Sequence, residues 1–215
     1  MDIVSSGFSE IGAEAGTGRQ AELAAWARRT GIPVGGPNCL GLMNATIGMV
    51  ALPTVFERLI PGAVGAVLQS GMMAPSVLVP LIARGIGLTI AVTTGNEADL
   101  GATDYIEYLV EDDATRVIAC FTEQIKTPDR FVLACERAAD RRKPIVMLKI
   151  GRSEGARRSA LAHTGSLVGA DGAVDAVLRK LGVTRVASVD ELLEAVAVFH
   201  TRKLPRGDGI AAFSV

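Results

Sequence analysis

The chain has 215 residues and a formal net charge of −1, with 22 Lys and Arg against 23 Asp and Glu. That balance offers no electrostatic footprint for nucleic acid or for an anionic membrane. Hydrophobic residues make up 49% and aromatics only 4%, which supplies a core of Ala, Val, Leu and Ile but little for base stacking.

The N-terminus "MDIVSSGFSE" has no basic region followed by an apolar stretch, so it does not read as a signal peptide. No apolar run reaches the ~18 residues of a membrane span. Three cysteines, Cys39, Cys120 and Cys135, occur without CxxC spacing or clustered histidines. This argues against a disulfide framework and against a structural zinc site. The chain reads as a soluble, reduced, cytoplasmic protein.

"MDIVSSGF" reads as the end of a strand entering a Gly-containing loop. Residues 17–30 have helical spacing, with Leu23, Trp26 and Ala27 on one side and Gly31 as a C-cap. "IPVGGPNCLGLMN" holds too many Gly and Pro for a helix and reads as a short strand feeding a tight loop. Residues 45–62 have weak periodicity and end in "IPG", which predicts a linker and a domain boundary. From Gly62 the pattern becomes regular. Apolar runs at 63–69, 88–94, 116–122, 144–150 and 184–188 predict strands, and helices are expected near 71–85, 102–112, 129–142, 171–181 and 189–200. Alternating strand and helix with short links predicts a flavodoxin-like, doubly wound parallel sheet over residues 62–200. The tail, residues 201–215, reads as a linker and the start of a further domain, so the chain is expected to be a fragment.

In such sheets ligands bind beyond the carboxyl ends of the strands. "QSGMMAPS" places Ser70, Gly71 and Met72 at a helix start, where amides and the helix dipole favour an anion. A plain Ser N-cap explains the same residues. "GNEADLG" puts Asn96, Glu97 and Asp99 at the next strand end, with helix capping by Asp99 as the simpler reading. Glu123 in "FTEQI" is the first charge after an apolar run, and a solvated loop carboxylate is the simpler reading for it alone. The connection "KIGRSEGARRSALAHTGSLVG" is long for an α/β link and carries Lys149, three arginines and His163. A neutral imidazole is a good nucleophile, and a carboxylate on its other nitrogen would fix the tautomer. The loop alone equally fits a surface histidine. Cys39 in "GGPNCLG" has no nearby histidine and reads as a packed, inert thiol. His200 ends the last helix, where its charge suits the dipole.

Taken in order, "GPNCLGLMN", "QSGMMAPS", "TTGNEADLG", "FTEQI" and "HTGSLVG" resemble the NDP-forming acyl-CoA synthetases, relatives of the succinyl-CoA synthetase α subunit. The resemblance runs from "SSGFSEIG" to the terminal "GIAAFSV". It implies that His163 is phosphorylated, that Glu123 holds the distal nitrogen of that histidine, and that Ser70, Gly71 and Met72 receive the phosphate. It further implies that Asn38 and Cys39, with Pro37, line the pantetheine end of CoA, and that Gly7 in "SSGF" belongs to the preceding strand-end loop of the CoA-binding domain. Residues 1–61 would then be the C-terminal part of a Rossmann-like CoA-binding domain. CoA, ATP or ADP with Mg2+, phosphate and an acyl-CoA are the implied cofactors and substrates. An ATP-grasp domain or subunit is the implied partner, within an oligomer. The family's Gly-rich turn for the CoA diphosphate has no counterpart in these residues. A non-catalytic acyl-CoA-sensing module of a protein acetyltransferase is the competing expectation, and His163 with Glu123 speaks against it. A nicotinamide-dependent Rossmann enzyme is disfavoured because no GxGxxG follows a strand.

Overall fold

The computed structural model describes residues 1–52, 59–150, 171–201, 207, 209 and 213. A short 3-10 turn at Ser9–Ile11 precedes helix α1 (Glu14–Thr30), which Gly31 ends in the left-handed conformation. Strands β1 (Leu42–Asn44) and β2 (Met49–Ala51) form a hairpin. There follow β3 (Pro61–Leu68), α2 (Met73–Ala83), β4 (Leu88–Thr93), α3 (Ala102–Glu111) and β5 (Val117–Thr122). The remaining elements are α4 (Pro128–Asp140), β6 (Ile145–Lys149), α5 (Asp171–Lys180), β7 (Thr184–Val186) and α6 (Val189–His200).

The strands form one sheet in the order β2-β1-β4-β3-β5-β6-β7. The five from β3 to β7 are all parallel. Numbered among themselves they run 2-1-3-4-5, the flavodoxin-like arrangement the apolar runs predict. The crevice of this fold lies between β3 and β5, where the connection after β3 leads to β4 on one side and the connection after β5 leads to β6 on the other.

Both faces of the sheet are covered, and the strand sequences show why their runs are unbroken. In β5, Val117, Ala119 and Phe121 join the core cluster with α2 and α6, while Ile118 and Cys120 join the cluster with α3, α4 and α5. Successive side chains alternate faces, and each face meets helices, so the run from Val117 to Phe121 is apolar throughout. The helices answer with one buried stripe each. In α2 it is Ala74, Val77, Leu78 and Leu81, and in α4 it is Phe131, Ala134, Cys135 and Ala138. Gly65 of β3 lets α3 sit close, because a Cβ there would lie 2.8 Å from Leu109 Cδ1.

Leu81 is fully buried at the end of the α2 stripe. Leu81→Ala is expected to destabilise the protein by about 2–5 kcal/mol, measured as a shifted urea midpoint with unchanged slope.

Three expectations are corrected by the fold. The segment expected to be a linker, residues 45–62, contributes β2 to a hairpin with β1, and β1 pairs antiparallel with β4. The hairpin's strands have three residues each, and all of β2 is exposed at the sheet edge, so no burial period is written into it. "MDIV" and "IPVGG" run side by side through one parallel bridge, Asp2 to Gly35, instead of forming extended strands. Helix α2 begins at Met73, two residues later than the apolar pattern suggests.

Candidate functional site

The carboxyl ends of β3, β4 and β5 are knitted together by the residue that follows β3. Gln69 donates its N–H to Phe121 O (2.9 Å), and its carbonyl accepts from Gly95 N (3.1 Å). Its side chain, almost fully buried, accepts through Oε1 from Glu123 N (2.7 Å) and Gln124 N (3.0 Å). The exit turn of β5 therefore hangs from the same residue that opens the Ser70–Met72 turn. Sequence reasoning does not single out Gln69; its one signal is a polar side chain closing an apolar strand just before Ser-Gly.

Ser70 and Gly71 lend their carbonyls to Met73 N (3.1 Å) and Ala74 N (3.0 Å), which starts α2. Among the described residues, the amides of Ser70, Gly71 and Met72 have no hydrogen-bond acceptor, the condition an anion cradle needs. Glu123, 7% exposed, receives Lys149 Nζ on its carbonyl at 2.5 Å. Ser70, Gly71, Met72 and Glu123 line one cleft of about 370 Å³. His163 lies outside the described residues, so its approach to Glu123 belongs to the proposal below.

The opposite wall of this cleft comes from the N-terminal segment, including Val4, Glu10, Asn38 and Cys39. Asn38 and Cys39 thus share the cleft with Ser70–Met72 and Glu123. Pro37, which follows a cis peptide bond, and Gly7 are not among its lining residues. Pro37 accepts Asn96 N on its carbonyl (2.9 Å), and Gly7 accepts Arg19 Nε (2.8 Å). Cys39 donates its thiol to Ile3 O (3.4 Å), and burial pushes its pKa up. A protonated, buried thiol agrees with the inert reading of this residue.

The turn after β4 works differently from the simpler reading of "GNEADLG". Glu97, not Asp99, serves α3: its Oε1 accepts from Thr94 Oγ1 (2.8 Å) and Ala102 N (3.0 Å). Asp104 Oδ2 adds an acceptor for Gly101 N at 2.8 Å. Asp99 reaches away from the helix and accepts from Val34 N (2.9 Å), pinning the N-terminal segment to the sheet. Burial pushes the Glu97 carboxyl up, against the bonds from Thr94 and Ala102 and the charge of Lys126. Lys126 donates to Asn96 O (2.5 Å) and Glu97 O (3.1 Å), and burial lowers its pKa against the pull of Glu97. Lys126 also lines the cleft, and nothing in its sequence setting beyond the nearby Glu123 marks it.

Among the described residues no group of three or more His, Cys, Asp or Glu is placed to hold a metal ion. No described helix is long and apolar enough to cross a membrane.

A doubly wound α/β sheet of 2-1-3-4-5 order, with the Ser70–Met72 turn and buried Glu123 at its switch point, defines a flavodoxin-like domain. Residues 61–199 match the family described as the succinyl-CoA ligase like flavodoxin domain, and the chain belongs to that family. It is 38% identical over 204 residues to "Acetate--CoA ligase [ADP-forming] I" of Archaeoglobus fulgidus, covering 94% of this chain and 29% of that protein. It is 34% identical over 210 residues to "Acetate--CoA ligase [ADP-forming] II subunit alpha" of Pyrococcus furiosus, covering 97% of this chain and 45% of the subunit. The chain therefore spans less than half the length of these relatives. Among solved structures, the "dinucleotide forming Acetyl-coenzyme A synthetase 1" of Ca. Korarchaeum cryptofilum, in complex with phosphate and ADP, superposes with a TM-score of 0.89. That match has 28% identity and covers 96% of this chain and 44% of that one.

Proposed function

We propose that the chain supplies the phosphohistidine domain, and with residues 1–61 part of the CoA-binding domain, of an NDP-forming acyl-CoA synthetase. The reaction interconverts acyl-CoA, phosphate and ADP with the free acid, CoA and ATP. The observation that carries this reading is the single cleft shared by Glu123, the Ser70–Met72 amides and the Asn38–Cys39 loop. Relatives named as ADP-forming acetate–CoA ligases support it.

Asn38 and Cys39 hold the thiol end of the acyl-CoA beside phosphate bound at the cradle. The phosphate oxygen forms a bond to the acyl carbon while the C–S bond breaks, leaving an acyl phosphate and CoA. His163 then attacks phosphorus through one ring nitrogen; the P–O bond to the acyl group breaks and the carboxylate leaves with its electron pair. Glu123 accepts a hydrogen bond from the other ring nitrogen, fixing the tautomer and stabilising the imidazolium. The amides of Ser70, Gly71 and Met72 meet the phosphoryl oxygens without reorganising, which favours the charge that builds there. An ATP-grasp domain or subunit supplies the site where ADP, with Mg2+, takes the phosphoryl group from His163. This reading places the protein in the cytoplasm, in an oligomer.

The test is to incubate the complete protein, with its ATP-grasp domain or subunit, in Mg2+ and ATP labelled at the γ-phosphate. We expect an acid-labile, base-stable label on the peptide that contains His163. Label confined to other peptides, or no label with intact CoA binding, overturns the catalytic reading and favours an acyl-CoA-sensing module.

A further inference from the structure

The cleft has two walls from distant parts of the chain, and among the side chains that join them Asn96 is the one that reaches both the 36–39 loop and the 5–10 loop. Asn96, in the turn after β4, accepts from Asn38 Nδ2 through its Oδ1 (3.1 Å). Its Nδ2 donates to Glu10 Oε2 (2.5 Å) and to Gln20 Oε1 (3.0 Å). The main chain of Asn96 is committed as well, to Pro37 O through its N–H and to Lys126 Nζ through its carbonyl. Every polar group of the residue is therefore used, and of its partners Asn38, Glu10 and Lys126 line the cleft.

The partners of Asn96 are themselves held. Glu10 Oε1 accepts from Gly7 N (2.5 Å) and Phe8 N (3.1 Å), which shapes the "SSGF" loop. Burial tends to raise the Glu10 pKa, but the bonds from Asn96 and from those amides outweigh it and hold the carboxyl below its usual value. Gln20 Oε1 also accepts from Ser9 Oγ (2.5 Å), fastening the same loop to α1. The 36–39 loop is also tied to the turn through its backbone, by Asn96 N to Pro37 O and Ala98 N to Gly36 O, while the side-chain amide of Asn96 adds the bonds to Asn38 and, through Glu10 and Gln20, to the 5–10 loop.

We propose that Asn96 is a positioning residue that holds the CoA-side wall in register with the phosphoryl cradle. This rests on the functional reading above and goes beyond it by separating two duties of the cleft. The cradle and Glu123 hang from Gln69, on β3 and β5, without using the Asn96 side chain. Only the N-terminal wall depends on it.

Asn96→Asp keeps the shape but loses the donor. Its carboxylate would face Glu10 Oε2 and Gln20 Oε1, two acceptors, with like charges in contact. We expect the Kd for CoA, read by titration calorimetry on the complete protein, to rise roughly ten- to a hundredfold, the cost of part-buried acceptors left unmatched. ATP-driven labelling of His163 should keep its wild-type rate. Adding Glu10→Gln to Asn96→Asp reverses the polarity of the bridge: residue 10 keeps an oxygen for Gly7 N and Phe8 N and now donates to residue 96. That double variant should recover most of the CoA affinity. Gln20→Ala, which cuts one arm only, should weaken CoA binding by about two- to tenfold and serves if Asn96→Asp does not fold.

An Asn96→Asp protein that slows labelling as much as it weakens CoA, or a double variant no better than the single one, overturns the proposal. So does unchanged CoA affinity in Asn96→Asp, or in Gln20→Ala where that variant is used. If the wild-type protein takes up no label on His163, the phosphohistidine reading fails, while the CoA titrations still decide the role of Asn96.

Discussion

His163→Ala is expected to abolish the acid-labile phosphoryl label and to lower ATP-coupled thioester formation by on the order of 10⁴-fold or more, as removal of a covalent nucleophile does in other enzymes. The loss is large because alanine offers no lone pair to phosphorus. Cys39, the soft nucleophile of the cleft wall, is held protonated by burial and is engaged with Ile3 O. Glu123→Gln should fall between this variant and wild type, about 10²- to 10⁴-fold down. Glutamine can still accept a hydrogen bond from an imidazole, but it adds no negative charge to balance the imidazolium. The turn that carries residue 123 is held through its backbone by Gln69, so the variant should fold normally. Filter-bound label after an ATP chase gives both rates. A Glu123→Gln protein that labels at the wild-type rate would remove Glu123 from the chemistry while leaving His163 in place.

Gly95→Ala is expected to destabilise the protein by about 2–4 kcal/mol, combining a left-handed backbone with overpacking. For a domain of this size that corresponds to a melting temperature lower by roughly 5–15 °C. Gly95 has φ +58, and a Cβ there would lie 2.3 Å from Pro37 O and 2.5 Å from Asn38 O. Neither atom is the end of a movable side chain, so the backbone loop at Gly36–Asn38 would have to retreat. That retreat would also pull Asn38 from Asn96. The variant should therefore bind CoA more weakly at temperatures where it is still folded, which calorimetry and a thermal melt together would show. A Gly95→Ala protein as stable as wild type would mean that the loop gives way without cost.

The strand ends show how far local sequence reaches. Glu123 is legible as the first charge after an apolar run, and it does stand at a strand end inside the cleft. Gln69, the residue that suspends Glu123, is not legible in the same way, because a lone glutamine has no spacing that announces two acceptor bonds. Asp99 reads as a helix cap from its position near α3, yet Glu97 and Asp104 perform that task. Local sequence offers three carboxylates near one helix start, and only the backbone turn decides which of them points at the amides. At Glu97 that turn takes a positive φ of 54°.

Composition and the order of apolar runs determine by themselves that this is an α/β protein with a parallel sheet buried on both faces. Burial on two sides leaves no polar alternation in a strand, and a helix covering one face shows a single stripe. The order of short motifs along the chain likewise points to the family. Only the tertiary fold decides how the site is held together. Asn96 meets Asn38 across 58 residues and Glu10 across 86, and such partners are chosen by strand order and loop approach, which local spacing does not encode. The β1–β2 hairpin is of the same kind: three-residue strands at an exposed edge carry too little burial to be seen in sequence, and it is β4 that makes them strands.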